Sequence, residues 1–161
     1  MKKKLTSAAL GLFALTLATT ASAQSNEDMI KYRQSGYAFM AWNMGKIKAQ
    51  VVDGSVPFDQ GQVLAAASVI AATANSGMGA LYGPGTDSGS GWKPTRLKSA
   101  FFTDGDKVRD IAVNFMQQAN QLQEVAATGD KAAIAAQFGE VGKACKRSEE
   151  RRVGKECRSR W

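Results

Sequence analysis

Four stretches of this chain place apolar residues at alternating three- and four-residue steps, and that periodicity commits it to packed helices. In the first, from Glu27 to about Asp53, the residues Ile30, Arg33/Gln34, Tyr37, Met40/Ala41, Met44, Ile47 and Val51 share one face. Ser25 or Asn26 can cap it, Glu27 and Asp28 complement its N-terminal dipole, and Asp53-Gly54 ends it. Pro57 suits the first turn of a second helix, which runs through Phe58, Val63, Leu64, Ala67, Ile70 and Ala71 to about Asn75. A third starts at Asp104 or Asp106, with a stripe of Val108, Ile111, Ala112, Phe115, Met116, Ala119, Leu122 and Val125. Gly129 closes it in the left-handed conformation and Asp130 caps the fourth, whose face holds Ala133, Ile134, Gln137/Phe138, Val141 and Cys145. The tight Gly129-Asp130 joint makes helices three and four antiparallel neighbours. The expected fold is all-α, an antiparallel four-helix bundle.

One connection is unlike the others. From Ser76 to Thr103, Gly77, Gly79, Gly83, Gly85, Gly89 and Gly91, with Pro84 and Pro94, interrupt regular structure repeatedly. A crossover of this length inside a small domain is expected to be functional or wrapped around something.

The two ends of the chain read differently from this body. Met1-Lys-Lys-Lys4, the apolar run Leu5 to Leu17 and Ala21-Ser22-Ala23 form the basic, apolar and cleavage regions of a secretory leader over residues 1–23. The apolar run is shorter than the roughly 20 residues of a spanning helix, so no membrane insertion is expected after cleavage. The mature chain is expected in the periplasm, where disulfides persist. The formal charge of the whole chain is +7, but residues 24–146 carry 12 basic and 11 acidic side chains. A nearly neutral body offers no basic face for phosphates, which excludes nucleic acid as a partner.

Cys145 lies near the end of the fourth helix of an exported chain, a setting that fits the first thiol of a Cys-x-x-Cys-His site for c-type haem. In that pattern two thiols add to the haem vinyls and the His ligates iron. Here Ser148 stands at the second thiol, Glu149 stands where the axial His is expected, and the chain has no His at all. No metal ligand set is therefore complete, and no thiol–base or hydrolytic constellation is present, so the chain reads as a binding protein rather than an enzyme. Each candidate also has a plain reading. Tyr37, Met40, Met44 and Phe138 at helical spacing serve as core, Arg33 as a snorkelling side chain, and Cys145 as a small hydrophobe.

Several ordered motifs resemble one family, cytochrome c prime (cytochrome c′). They are Lys31-Tyr-Arg-Gln-Ser-Gly36, Trp42-Asn-Met-Gly-Lys-Ile-Lys48, Gly83-Pro-Gly-Thr-Asp87 with Trp92-Lys93, Glu124-Val-Ala-Ala-Thr-Gly-Asp130, and Gln137-Phe-Gly-Glu-Val-Gly-Lys-Ala-Cys145-Lys146. The resemblance spans residues 26–146 and implies a periplasmic four-helix bundle holding one haem c with five-coordinate iron. It implies a homodimer packed through the first two helices, a small redox protein as electron partner, and a diatomic gas such as nitric oxide or carbon monoxide as ligand. It also implies roles for individual residues. Cys145 would be the first haem-linking thiol, Arg33 and Gln34 would lie near the propionates, and Tyr37 would shield the open side of the iron. Phe138 would face the same pocket, with Thr86 and Asp87 bordering the haem.

The resemblance stops inside the haem motif. Residues 147–161 are dense in charge, lack a helical stripe, and resemble the in-frame translation of a sequencing-library adapter. They are read as non-native read-through, which divides the chain into a leader (1–23), a bundle (24–146) and a tail (147–161). If the tail is native, Cys145 and Cys157 could instead form a disulfide, and the bundle would be a haem-free binding or structural protein.

Overall fold

The computed structural model describes residues 24–153, with side chains through 148. The expected leader, the side chain of Glu149, Cys157 and the end of the tail lie outside what is described. Four long helices form the body: α1 Asn26–Val51, α2 Gln60–Ala74, α4 Gly105–Thr128 and α5 Lys131–Val153, with a single-turn α3 at Ala100–Thr103. α1 packs on α2, α2 on α4, α4 on α5 and α5 back on α1, closing the ring of an antiparallel four-helix bundle. Among the described residues no helix is long and apolar enough to cross a membrane.

Local chemistry sets the boundaries. Ser25 caps α1, its Oγ accepting from the Asp28 N–H at 3.1 Å. Asp130 caps α5 by accepting from the Ala132 and Ala133 N–H groups at 2.9 and 3.1 Å, while Gly129 turns the chain at φ 75°. α2 begins later than expected, at Gln60 rather than beside Pro57. Asp59 is the reason, since its Oδ1 takes the Gln62 N–H at 3.0 Å and leaves Pro57 outside the helix. α5 also runs on to Val153, seven residues beyond Lys146, where the sequence shows no apolar stripe. Glu and Arg are good helix formers, and extending an existing helix is far cheaper than starting one.

The bundle is asymmetric along its length. One end is solid: Ile47, Val63, Ala66, Ala67, Ile70, Leu122, Ala126, Ile134 and Val141 are all buried in one cluster, and Phe138 and Cys145 pack against it. Ala at several of these positions lets the backbones approach closely. Toward the other end, Val108, Ile111, Phe115 and Met116 of α4 are only partly buried, because that half of the helix borders a cavity.

The crossover from residue 75 to 104 straps that open end to α1, and Arg33 holds it. Arg33 is buried, 5% exposed. Its Nη1 donates to Leu81 O at 3.0 Å and Thr86 Oγ1 at 3.2 Å. Nη2 donates to Thr86 O at 3.1 Å and Thr95 Oγ1 at 3.0 Å. Gln34 adds a reciprocal pair, Nε2 to Lys93 O at 2.8 Å and Lys93 N–H to Oε1 at 3.1 Å. Trp92 donates its indole N–H to Ser35 Oγ at 2.7 Å. Gly91 lies on α1 so closely that a Cβ there would come within 2.6 Å of the Lys31 nitrogen, so only glycine fits.

Two stability measurements follow from this anatomy. Leu122→Ala removes a side chain from the solid end and is expected to cost about 2–5 kcal/mol in urea unfolding, with Met116→Ala at the cavity costing less than half as much. Equal costs would mean that the two ends are packed alike. Arg33→Met is expected to cost about 2–4 kcal/mol, since it strands buried acceptors, and to open residues 77–99 to a protease before global unfolding. An unchanged cleavage pattern would show that the strap stands without Arg33.

Candidate functional site

Two spaces flank the strap. The inner one is a cavity of about 300 Å³ between the N-terminal halves of α1 and α4, the end of α2 and the C-terminal half of α5. Its lining includes Tyr37, Met40, Met78, Tyr82, Phe101, Val108, Ile111, Phe115, Met116 and Ser148, and among the described residues it carries no ionisable acid or base other than the two phenols. The outer one is an open groove of about 760 Å³ on the solvent side of α1, bordered by Phe39, Trp42, Trp92, Lys93 and Arg96.

The sequence-derived site residues fall into separate places. Tyr37 lines both spaces, and its hydroxyl pairs with that of Tyr82 at 2.9 Å. Arg33 and Gln34 border the outer groove, with the donors named above directed at the strap. Thr86 is fully buried as an anchor for Arg33 and donates its own hydroxyl to Gly83 O at 2.8 Å. The Asp87 carboxylate accepts from Ser99 Oγ at 2.6 Å. Phe138 and Cys145 sit against the solid core rather than in the cavity lining. Sequence reading missed Tyr82 and Phe101, whose rings stack at 4.6 Å. The signal available was an aromatic residue in each shoulder of a glycine-rich crossover, where a plain tether has no use for one.

A haem c has two requirements of this site, and only one is met. The cavity suits a flat, largely apolar ring: it is walled by rings and thioethers, and its size lies at the lower end of ligand pockets. α5 also projects toward it correctly, since Ser148, three residues and about one turn beyond Cys145, is part of the lining. The attachment chemistry is incomplete. Ser148 offers a hydroxyl where a thioether needs a thiol, the chain contains no His, and the described residues hold no cluster of metal-binding side chains.

Known proteins place the chain unambiguously. Residues 28–148 match the family model for cytochrome c′. The cytochrome c′ of Allochromatium vinosum is 54% identical, the alignment covering 94% of this chain and 97% of that protein. A solved cytochrome c′ described as having an unusual ligand-controlled dimer dissociation is 51% identical, with a TM-score of 0.78 over 83% of this chain and 100% of that one. The nitric oxide complex of a mutant cytochrome c prime from Alcaligenes xylosoxidans is 28% identical, with a TM-score of 0.72 over 83% of this chain and 98% of that one. The chain therefore belongs to the cytochrome c′ family of haem proteins.

Proposed function

We propose that this is a periplasmic carrier of one haem c, seated in the inner cavity, which serves electron transfer or the binding of nitric oxide or carbon monoxide. The observation that carries the reading is the delivery of position 148 to an apolar cavity on the same helix as Cys145. The haem would supply a one-electron couple and a site for a diatomic gas. The chain's own part is to exclude water from the cavity, to crowd one side of it with Tyr37, and to fix its mouth through Arg33 and Gln34. A solved relative in complex with nitric oxide supports the gas-binding role. Thr86 and Asp87 hold the strap through Arg33 and Ser99, and Phe138 packs against the core beside Cys145.

The missing thiol and His place the fault at residues 148 and 149. We read residues 147–161 as read-through, the natural gene continuing with Cys and His codons. The helical course of α5 to Val153 does not oppose this, because any Glu- and Arg-rich sequence extends a helix. The haem-free alternative rests on the same absence of His and describes the chain as written.

Ser148→Cys with Glu149→His, made in the full chain and expressed with haem-attachment machinery, is expected to give a Soret band and covalently bound haem, where the chain as written gives neither. A colourless double variant would favour the haem-free bundle. Re-reading the gene across codons 140–165 from both strands separates read-through from a native tail.

We also propose a homodimer through α1 and α2, with a small redox protein as the electron partner. Phe39 and Trp42 stack on the outside of α1 at 51% and 59% exposure, an apolar pair of the kind that marks interfaces. Trp42→Glu is expected to lower dimerisation at least tenfold in sedimentation equilibrium. No change would move the interface elsewhere.

A further inference from the structure

Two glycines, one in α1 and one in the strap, each carry a methionine thioether from the other element. Gly83 of the strap faces Met29 of α1, where a Cβ would come within 3.0 Å of Cε and 3.2 Å of Sδ. Gly36 of α1 faces Met78, which opens the short helical turn Met78–Leu81 of the strap, and the corresponding distances are 2.9 and 3.1 Å. Met29, Arg33 and Gly36 follow one another at four- and three-residue steps, so the guanidinium lies between the two thioether contacts on one stripe of α1. We propose that Met29 and Met78 form a paired oxidation site, at which a peroxide converts both thioethers to sulfoxides and so releases the strap from α1. Such a site needs no haem.

Burial separates this pair from the methionines of the core. Met40 and Met44 are each 5% exposed, whereas Met29 and Met78 are only partly buried. Neither lines the outer groove beside the proposed dimer contact. In the step, the thioether sulfur attacks one oxygen of hydrogen peroxide, and the S–O bond forms as the O–O bond breaks. The sulfur loses two electrons, and the second oxygen leaves as water, taking the proton of the oxygen transferred. The product is polar and chiral where the thioether was apolar and flexible. Each glycine turns a bare Cα toward it, with no N–H or O–H for the new oxygen, so the oxidised side chain is better placed in water than in the notch. Its departure removes the apolar contacts on either side of Arg33 and leaves the guanidinium bonds to hold the strap alone. The strap then opens locally, while the core cluster, built from other residues, stays folded.

Hydrogen peroxide added to the full chain as written tests this, with peptide masses and proteolysis followed together over time. Met29 and Met78 are expected to gain oxygen about tenfold faster than Met40 and Met44. Cleavage within residues 77–99 is expected to rise about threefold to tenfold as they do. Methionine sulfoxide reductases acting on both epimers, with a dithiol reductant, are expected to return cleavage to its starting rate, a readout that needs no substitution. Met29→Leu combined with Met78→Leu keeps the apolar volume, removes both sulfurs and is expected to abolish the rise. Oxidation at one rate for all four methionines would overturn the proposal, as would both sulfoxides forming with cleavage unchanged. A rise that persists in the double variant would overturn it too, by assigning the release to Met116 or Cys145.

Discussion

Everything at the open end of this bundle depends on one buried cation. A guanidinium withdrawn from water is costly unless its N–H groups are bonded, and Arg33 meets that condition by drawing three strap residues onto α1. The bonds offset the entropy that a glycine-rich crossover loses on ordering, and make of it a defined wall. The cost of a buried charge thereby becomes conformational definition where the site needs it. The same side chain stands against the Tyr82 ring, which lines the cavity.

Helix periodicity makes most of the architecture legible in the sequence. Ile30, Met40, Met44, Ile47 and Val51 recur on one face of α1 and are buried there, and Gly129 with Asp130 marks the turn into α5. Periodicity does not separate core from cavity wall. Phe115 and Met116 belong to the same stripe as Leu122, yet the former line a void and the latter is fully buried. Period reports which side of a helix faces inward, and says nothing of whether the interior is filled at that height. Tyr82 and Phe101 are hidden for a different reason. Their placement depends on how the strap folds back, a long-range property with no local pattern.

The site residues divide by the same logic. Tyr37 is legible because a single helix fixes its direction, and it does reach the cavity. Thr86, Asp87 and Gln34 act through the strap, in bonds to Arg33, Ser99 and Lys93, and no spacing rule announces such partners. Asn43 remains a buried side chain whose Oδ1 has no hydrogen-bond partner among the described residues, and nothing in the packing of α1 accounts for it.

A bundle that is solid at one end and hollow at the other separates stability from ligand chemistry. The buried cluster around Ile47, Ile70, Leu122, Ile134 and Val141 lies toward the α4–α5 turn, and Ala74 and Phe115 join it to the cavity lining. Residues 148 and 149 fall at the far end of α5, beyond that cluster. A chain with no thiol at 148 and no His lacks the means of attaching a haem c, yet keeps the contacts that fold it. The fold and the attachment chemistry of a c-type haem can therefore part company within one turn of helix, between Cys145 and Ser148.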